Sequence, residues 1–189
     1  MVSLIYSMNM EALIEDHLDS LWYTALRLTR HKEEAEDLFQ DTCMKALIHQ
    51  DTLKSKSKAK SWLLKIMMNT FLNHQRKNKK LIHQDSDENF LEPIFYKNGH
   101  YFDMEEEIFS KVLDDEVQKA IDQLSVDFRV VILLVDIEGL AYREVEDILE
   151  ISSGTLASRL YRARRLLRTS LYDYAKIRGF GGGEENVVS

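Results

Sequence analysis

The 189-residue chain has one proline, one cysteine and seven glycines. So few breakers leave no turn punctuation every ten residues or so, which a sheet would need, and the chain reads as all-α. The single cysteine, Cys43, excludes an intramolecular disulfide, and no Cys/His pair has the spacing of a structural zinc site. A stapled secreted domain and a zinc ribbon both drop out. The six histidines are scattered and acids do not join them at metal spacing, so no metal, cofactor or catalytic set is expected. No apolar run approaches the roughly 18–20 residues of a membrane span, and Met1 to Met10 lacks the basic region and cleavage site of a signal peptide. The expectation is a cytosolic protein. With 44% hydrophobic residues the chain has enough apolar side chains for one ordinary domain or two small ones, at roughly 100–200 residues per domain.

The formal net charge of −7 argues at face value against nucleic acid, but the charges are segregated. Lys54 to Lys80 holds nine basic residues and no acid. Ile151 to Arg178 holds seven basic residues against Asp173, a net of +6. Between them, Gln84 to Glu116 carries eleven acids against Lys97 and Lys111, a net of −9, with Pro93 and Gly99. That segment reads as a linker between two basic modules.

Apolar periodicity predicts helices over about Met10–Thr29, Lys32–His49, Lys60–Lys79, Phe109–Gln123, Val126–Glu138, Tyr142–Leu149 and Ser153–Ala175. A polar tail closes at Gly181, Gly182 and Gly183. Tyr142–Leu149, a turn with serines able to N-cap, and the long helix after it have the layout of a helix-turn-helix. At about 100° per residue, Leu156, Leu160, Ala163 and Leu167 make its buried stripe, and Ser158, Arg162 and Arg165 face the other way. Arginine offers paired donors to guanine and to phosphate, so this face suits a major-groove reader; a solvated charged face on a bundle helix is the alternative.

The helix at Lys60–Lys79 places Trp62, Asn69, Asn73, Arg76 and Lys80 on one strip, with Leu64, Met67, Met68 and Phe71 on the other side. Amides that read base edges, cations that hold phosphates and an aromatic that stacks suit opened or single-stranded DNA. Equally, Trp62 could pack in the core while the amides face water. In Lys32–His49, Ala35, Leu38, Thr42, Ala46 and Leu47 mark the inner face and Asp37, Gln40, Asp41 and Met44 the outer one. A methionine among acids points to a basic, partly apolar protein partner, against a plain solvated face.

Four ordered blocks carry a resemblance: Glu34-Ala35-Glu36-Asp37-Leu38-Phe39-Gln40-Asp41-Thr42; Ser61-Trp62-Leu63-Leu64-Lys65-Ile66-Met67-Met68-Asn69; Leu124 through Arg129–Leu134 to Glu138-Gly139-Leu140-Ala141-Tyr142; and Gly154-Thr155-Leu156-Ala157-Ser158-Arg159-Leu160-Tyr161-Arg162-Ala163-Arg164. In order and spacing they resemble the extracytoplasmic-function (group 4) sigma factors of bacterial RNA polymerase, in the sigma-70 family. The resemblance implies a sigma-2-like bundle over residues 1–80, the acidic linker over 81–108, a sigma-4-like helix-turn-helix domain over 109–176 and a flexible tail over 177–189. It implies that Asp37, Gln40, Asp41 and Met44 meet the β′ clamp helices of core RNA polymerase, whose β flap is a second contact. Lys56, Lys58, Lys60, Trp62, Asn69, Asn73, Arg76, Lys77 and Lys80 would then open and hold the −10 element of promoter DNA. Thr155, Ser158, Arg159, Arg162 and Arg165 would read the −35 element. It further implies a non-enzymatic role in transcription initiation, in a stress response, under an anti-sigma factor. The run Leu171–Lys176 with Gly179-Phe180 is similar to tails of thiol-stress members held by zinc-binding anti-sigma proteins.

Departures are local. Ala157 stands where many relatives carry Lys or Arg, Glu150 replaces a glycine frequent in the turn, and Lys54–Lys60 is richer in lysine and poorer in aromatics. Two rivals remain open on the sequence: a self-sufficient helix-turn-helix regulator, and an all-α hydrolase or adaptor, which would leave both basic blocks without a role.

Overall fold

Helix formation follows the apolar spacing closely. The structure is a computed structural model that describes residues 10–83 and 114–179, the side chains of 77–83 excepted. The linker from 84 to 113, with Pro93 and Gly99, and the tail from Phe180 onward lie outside the described residues, as do the side chains of Lys77 and Lys80. Among the described residues the elements are α1 (Met10–Glu15), α2 (Leu18–Thr29), α3 (Lys32–Ile48), α4 (Ala59–His83), α5 (Asp115–Asp122), α6 (Val126–Ile132), α7 (Tyr142–Leu149), α8 (Ser153–Ser170) and α9 (Tyr172–Ile177). Two short 3-10 turns, Gln50–Thr52 and Lys56–Lys58, precede α4, and a π turn, Leu133–Ile137, follows α6. No strand occurs among the described residues.

Packing gathers the chain into two compact units, residues 1–89 with 133–156, and residues 90–132 with 157–189. By contacts the segment 133–156 groups with the first unit. There α2 packs on α3, α3 on α4, and α7 on α4. Leu21, Ala25, Leu28, Ala35, Leu38, Ala46, Leu63, Leu64, Met67, Met68 and Phe71 are buried, joined by Val145 and Ile148 of α7. Each large apolar side chain so buried stabilises by about 1.5–3 kcal/mol. Exposed pairs such as Lys56–Asp16, 3.6 Å apart, are worth about 0–1 kcal/mol, so the apolar face of α4 decides the fold and the surface charges do not.

A polar cluster sits beside this core. Ser20 Oγ donates to Glu138 Oε2 (2.5 Å) and Thr24 Oγ1 to Glu138 Oε1 (2.8 Å). Lys60 Nζ lies 3.0 Å from Oε2 and donates to the Glu138 carbonyl at 2.8 Å. The Glu138 side chain is 6% exposed, and a carboxylate that far from water needs every one of these donors. The expected helix Val126–Glu138 is helical to Ile137, α to Ile132 and then π, with Glu138 N–H bonding Leu133 O at 2.8 Å before Gly139 turns the chain at φ +69°. A Cβ there would meet nothing within 4 Å, so glycine answers to the backbone angle, not to space. Two other helices expected to be continuous are broken. One break falls before Leu18, where His17 N–H bonds Ile14 O, and the other at Leu171. Leu47, placed on the inner face of α3 by its apolar character, is 43% exposed, because about 100° per residue carries it beyond the arc of Leu38, Thr42 and Ala46.

The turn after α7 forms as the serines suggest. Ser152 Oγ accepts from Thr155 N–H (3.2 Å) and caps α8, and Glu144 accepts from Ala141 N–H (3.1 Å) at the start of α7. Glu150 closes α7 in the left-handed conformation, φ 55°, its N–H bonding Glu146 O. That conformation costs a non-glycine residue about 1–2 kcal/mol.

In the second unit Ala120, Ile121, Leu124, Val130, Val131, Ile132, Leu160 and Ala163 are buried. Arg129, 4% exposed, donates from Nη2 to Leu124 O (2.9 Å) and Asp122 O (3.4 Å), satisfying carbonyls where α5 ends. Asp114 anchors α9. It accepts a hydrogen bond from the Tyr174 hydroxyl and pairs with Arg178, whose guanidinium lies 5.4 Å from the Tyr174 ring centre.

Two outcomes follow for stability. Glu150→Gly relieves the left-handed strain while adding about 0.4–1 kcal/mol of unfolded-state freedom, so denaturant titration should find the variant between unchanged and about 1.6 kcal/mol more stable. The Tyr174 bond, first, and Arg178 hold the Asp114 carboxyl below the usual carboxylate range, and the same bond, first, raises Tyr174 above the usual phenol range. The Asp114 contribution is present above the ordinary carboxylate value and lost as pH falls through the lowered one. The Tyr174 contribution is present below the ordinary phenol value and lost as pH rises through the raised one. Amide resonances of residues 172–178 should therefore hold steady across neutral pH and shift at both extremes, and Asp114→Asn should reproduce the acid spectrum at pH 7.

Candidate functional site

Most of the candidate residues expected from the sequence lie on the surfaces of α3, of α4 with the loop before it, and of α8; the side chains of Lys77 and Lys80 lie outside the described residues. On α3, Asp37 and Gln40 are exposed, Asp41 is half-buried and Met44 is 54% exposed. Leu47 and Ile48, at 43% and 65%, extend the same stripe. The apolar part is therefore larger than one methionine suggests. Asp41 Oδ2 lies 3.7 Å from both Lys45 Nζ and His74 Nε2, so part of its charge is answered within the chain. Cys43, half-buried beside the stripe, has its thiol raised by burial, which keeps it neutral and a poor nucleophile.

On α4, Leu63, Leu64, Met67, Met68, Thr70 and Phe71 turn inward, leaving Asn69, Asn73 and Arg76 exposed on one outer strip. Trp62 heads this strip half-buried. Its indole N–H donates to Thr52 Oγ1 at 3.0 Å, which ties the ring to the loop before α4. Lys56 and Lys58 are exposed on that loop. Lys60 is not on the strip: it lies roughly 160° around the helix from Trp62 and is held by Glu138. Lys65 flanks the strip instead, and its Nζ donates to Asp147 O at 2.8 Å.

On α8, Leu156, Leu160 and Ala163 are buried and Leu167 half-buried, while Ser158, Arg162 and Arg165 are exposed. Thr155 is half-buried beside the cap. Arg159 is turned aside, Nη2 meeting Asp127 Oδ2 at 3.1 Å. The α8 face thus offers two exposed arginines one helical turn apart with a hydroxyl before them.

Residue-by-residue reading misses the Glu138 cluster. An acid within the apolar stretch Val130–Leu140 is the available signal, but its partners are 78, 114 and 118 residues away. Ile48, the last residue of α3, joins the stripe although the sequence pattern does not single it out. Among the described residues no three His, Cys, Asp or Glu side chains could hold a metal ion, and no helix is long and apolar enough to cross a membrane.

Comparison with known proteins connects these surfaces to a family. The profile of Sigma-70 region 2 matches residues 13–81, and that of Sigma-70, region 4 matches residues 114–167. The chain is 29% identical over 159 residues to the RNA polymerase sigma factor SigV of Bacillus subtilis (strain 168), covering 84% of this chain and 88% of the relative. It is 30% identical over 153 residues to the ECF RNA polymerase sigma factor EcfG of Rhodopseudomonas palustris (strain TIE-1), covering 81% and 80%. Among solved structures, the sigma factor RpoE in complex with the anti-sigma factor NepR from Bartonella quintana is similar with a TM-score of 0.66 and 32% identity, over 87% of this chain and 97% of that one. With two region profiles in order and relatives aligned over most of both lengths, the chain belongs to the extracytoplasmic-function sigma factors of the sigma-70 family, which are transcription initiation factors and not enzymes.

Proposed function

We propose that this chain binds core RNA polymerase in the bacterial cytoplasm, directs it to promoters in a stress response, and is restrained by an anti-sigma factor. The observation that carries the reading is α4, a helix without a single acid over Ala59–His83 that buries its apolar side and exposes Asn69, Asn73 and Arg76 together. Exposed amides and a cation on one strip fit bases and phosphates of an opened −10 element. Lys56 and Lys58 precede the strip, Lys77 and Lys80 continue it along the sequence, and Trp62, fixed by Thr52, serves as its stacking edge.

The stripe of Asp37, Gln40, Asp41 and Met44, extended by Leu47 and Ile48, fits the basic β′ clamp helices. Charge there governs encounter, and the apolar residues supply the buried centre. Ser158, Arg162 and Arg165, with Thr155, fit the −35 element, and the β flap is the partner of the same module. Arg159 serves by positioning α8 through Asp127 rather than by reading a base. The RpoE–NepR complex supports an anti-sigma partner for this chain, and the similarity of the Leu171–Lys176 tail favours one that binds zinc.

The test is reconstituted holoenzyme on variants of the −35 element at several salt concentrations. Arg162→Ala should weaken binding by about 1–3 kcal/mol and relax preference at one position if the arginine pairs with guanine. If it holds a phosphate, all promoters should weaken alike and the log–log salt slope should fall by about 0.9. Unchanged affinity, slope and preference would place Arg162 on a solvated face.

A further inference from the structure

We infer that Thr52 is a positioning residue for DNA: its hydroxyl seats the Trp62 indole as a stacking platform and, by taking the indole N–H, leaves that ring no donor with which to read a base. This rests on the reading of Trp62 as the stacking edge of the −10 surface.

Three bonds make Thr52 a relay between the end of α3 and the start of α4. His49 closes α3, its N–H bonding Lys45 O at 2.9 Å. The His49 carbonyl then accepts from both the Thr52 N–H (2.9 Å) and the Thr52 hydroxyl (2.7 Å). A hydroxyl has one proton, and with that proton given to His49 the Thr52 oxygen can face Trp62 only as an acceptor. The indole nitrogen is a donor only, and it meets that oxygen at 3.0 Å. Neither bond of the relay can reverse, so the hydroxyl has one orientation. Thr52 itself has little freedom: its branched Cβ restricts χ1, Leu53 N–H bonds Gln50 O at 3.2 Å, and the Leu53 side chain is buried. On α4, Ala59 and Leu63 on either side of Trp62 are buried as well. The ring is thus held through its backbone and through its N–H, yet it remains half-buried and keeps surface for a ligand. A platform set before the strand arrives has less freedom to lose when a base stacks on it. With its one polar atom taken, it offers DNA only an aromatic surface, which accepts any base. Base choice then falls to the amides of Asn69 and Asn73 on the same strip.

The test titrates holoenzyme with a single-stranded oligonucleotide, the −10 non-template strand of a promoter that the holoenzyme transcribes. Trp62→Ala should weaken binding about tenfold, as loss of one base–aromatic stack does. Thr52→Val keeps the branched shape without the hydroxyl and should weaken binding about two- to tenfold, while Thr52→Ser restores it. In the Trp62→Ala background Thr52→Val should add nothing, because the threonine acts through the ring. Oligonucleotides with altered bases should lose by the same factor in Thr52→Val. In the full chain, the Trp62 indole N–H resonance should move and exchange faster with solvent in Thr52→Val and return in Thr52→Ser, with the amide resonances of α2 unchanged. Binding by Thr52→Val equal to wild type, a loss of the same size in the Trp62→Ala background, a loss confined to one base, or an unmoved indole resonance overturns the role of Thr52. An unaffected Trp62→Ala variant overturns instead the stacking assignment of Trp62, and the positioning with it.

Discussion

One helix has to satisfy two opposite demands, and the rest of the molecule is arranged around it. Along α4, Leu63, Leu64, Met67, Met68 and Phe71 must leave water for α2, α3 and α7 to have anything to pack on. The other side exposes Asn69, Asn73 and Arg76 below half-buried Trp62, polar groups that must stay hydrated or meet a polyanion. A period of 3.6 residues separates the two demands cleanly, with Asn69 and Asn73 one turn apart outside and Met67, Met68 and Phe71 inside. The inner face sets the stability, because apolar burial exceeds anything exposed charge contributes. The outer face is therefore free to carry cations chosen for a partner rather than for folding.

Much of this was legible in residue order because it depends on local periodicity. Tyr142–Leu149 forms with the expected bounds, the Ser152 cap forms where serines allow it, and the leucines of α8 are buried opposite Arg162 and Arg165. What periodicity does not contain is any bond between distant residues. Ser20, Thr24 and Lys60 reach Glu138 across 78 to 118 positions, where the helical stretch from Val126 ends in a π turn before left-handed Gly139. Arg159 and Lys60 carry charge in matching blocks, and each lies against a carboxylate of the same chain, Arg159 against exposed Asp127 and Lys60 against buried Glu138. Charge pattern identifies candidates, and only geometry separates those that face outward. The packing of 133–156 with the first unit has the same origin, since it depends on contacts made by Glu138, Val145 and Ile148 rather than on any composition boundary.

The segregated charge now has a consistent physical account. The acidic stripe of α3 and the acid-free α4 lie in the same unit, so one small body presents an anionic, partly apolar surface and a cationic, amide-bearing one. A net of −7 for the whole chain limits nonspecific attraction to nucleic acid, while the local excess of cations keeps specific contacts strong at short range. On the proposed function these two surfaces share one purpose, since promoter opening needs polymerase and DNA to be held at once.

The central claim is that the outer strip of α4 captures bases only after they unpair. Run-off transcription by holoenzyme carrying Asn69→Ala and Asn73→Ala, compared on duplex and on pre-melted promoter templates, tests it most directly. A bubble supplies the unstacking energy, a few kcal/mol, in advance. The expected result is a marked loss of transcript on the duplex with near-normal output from the bubble; equal loss on both templates, or none on either, would contradict it.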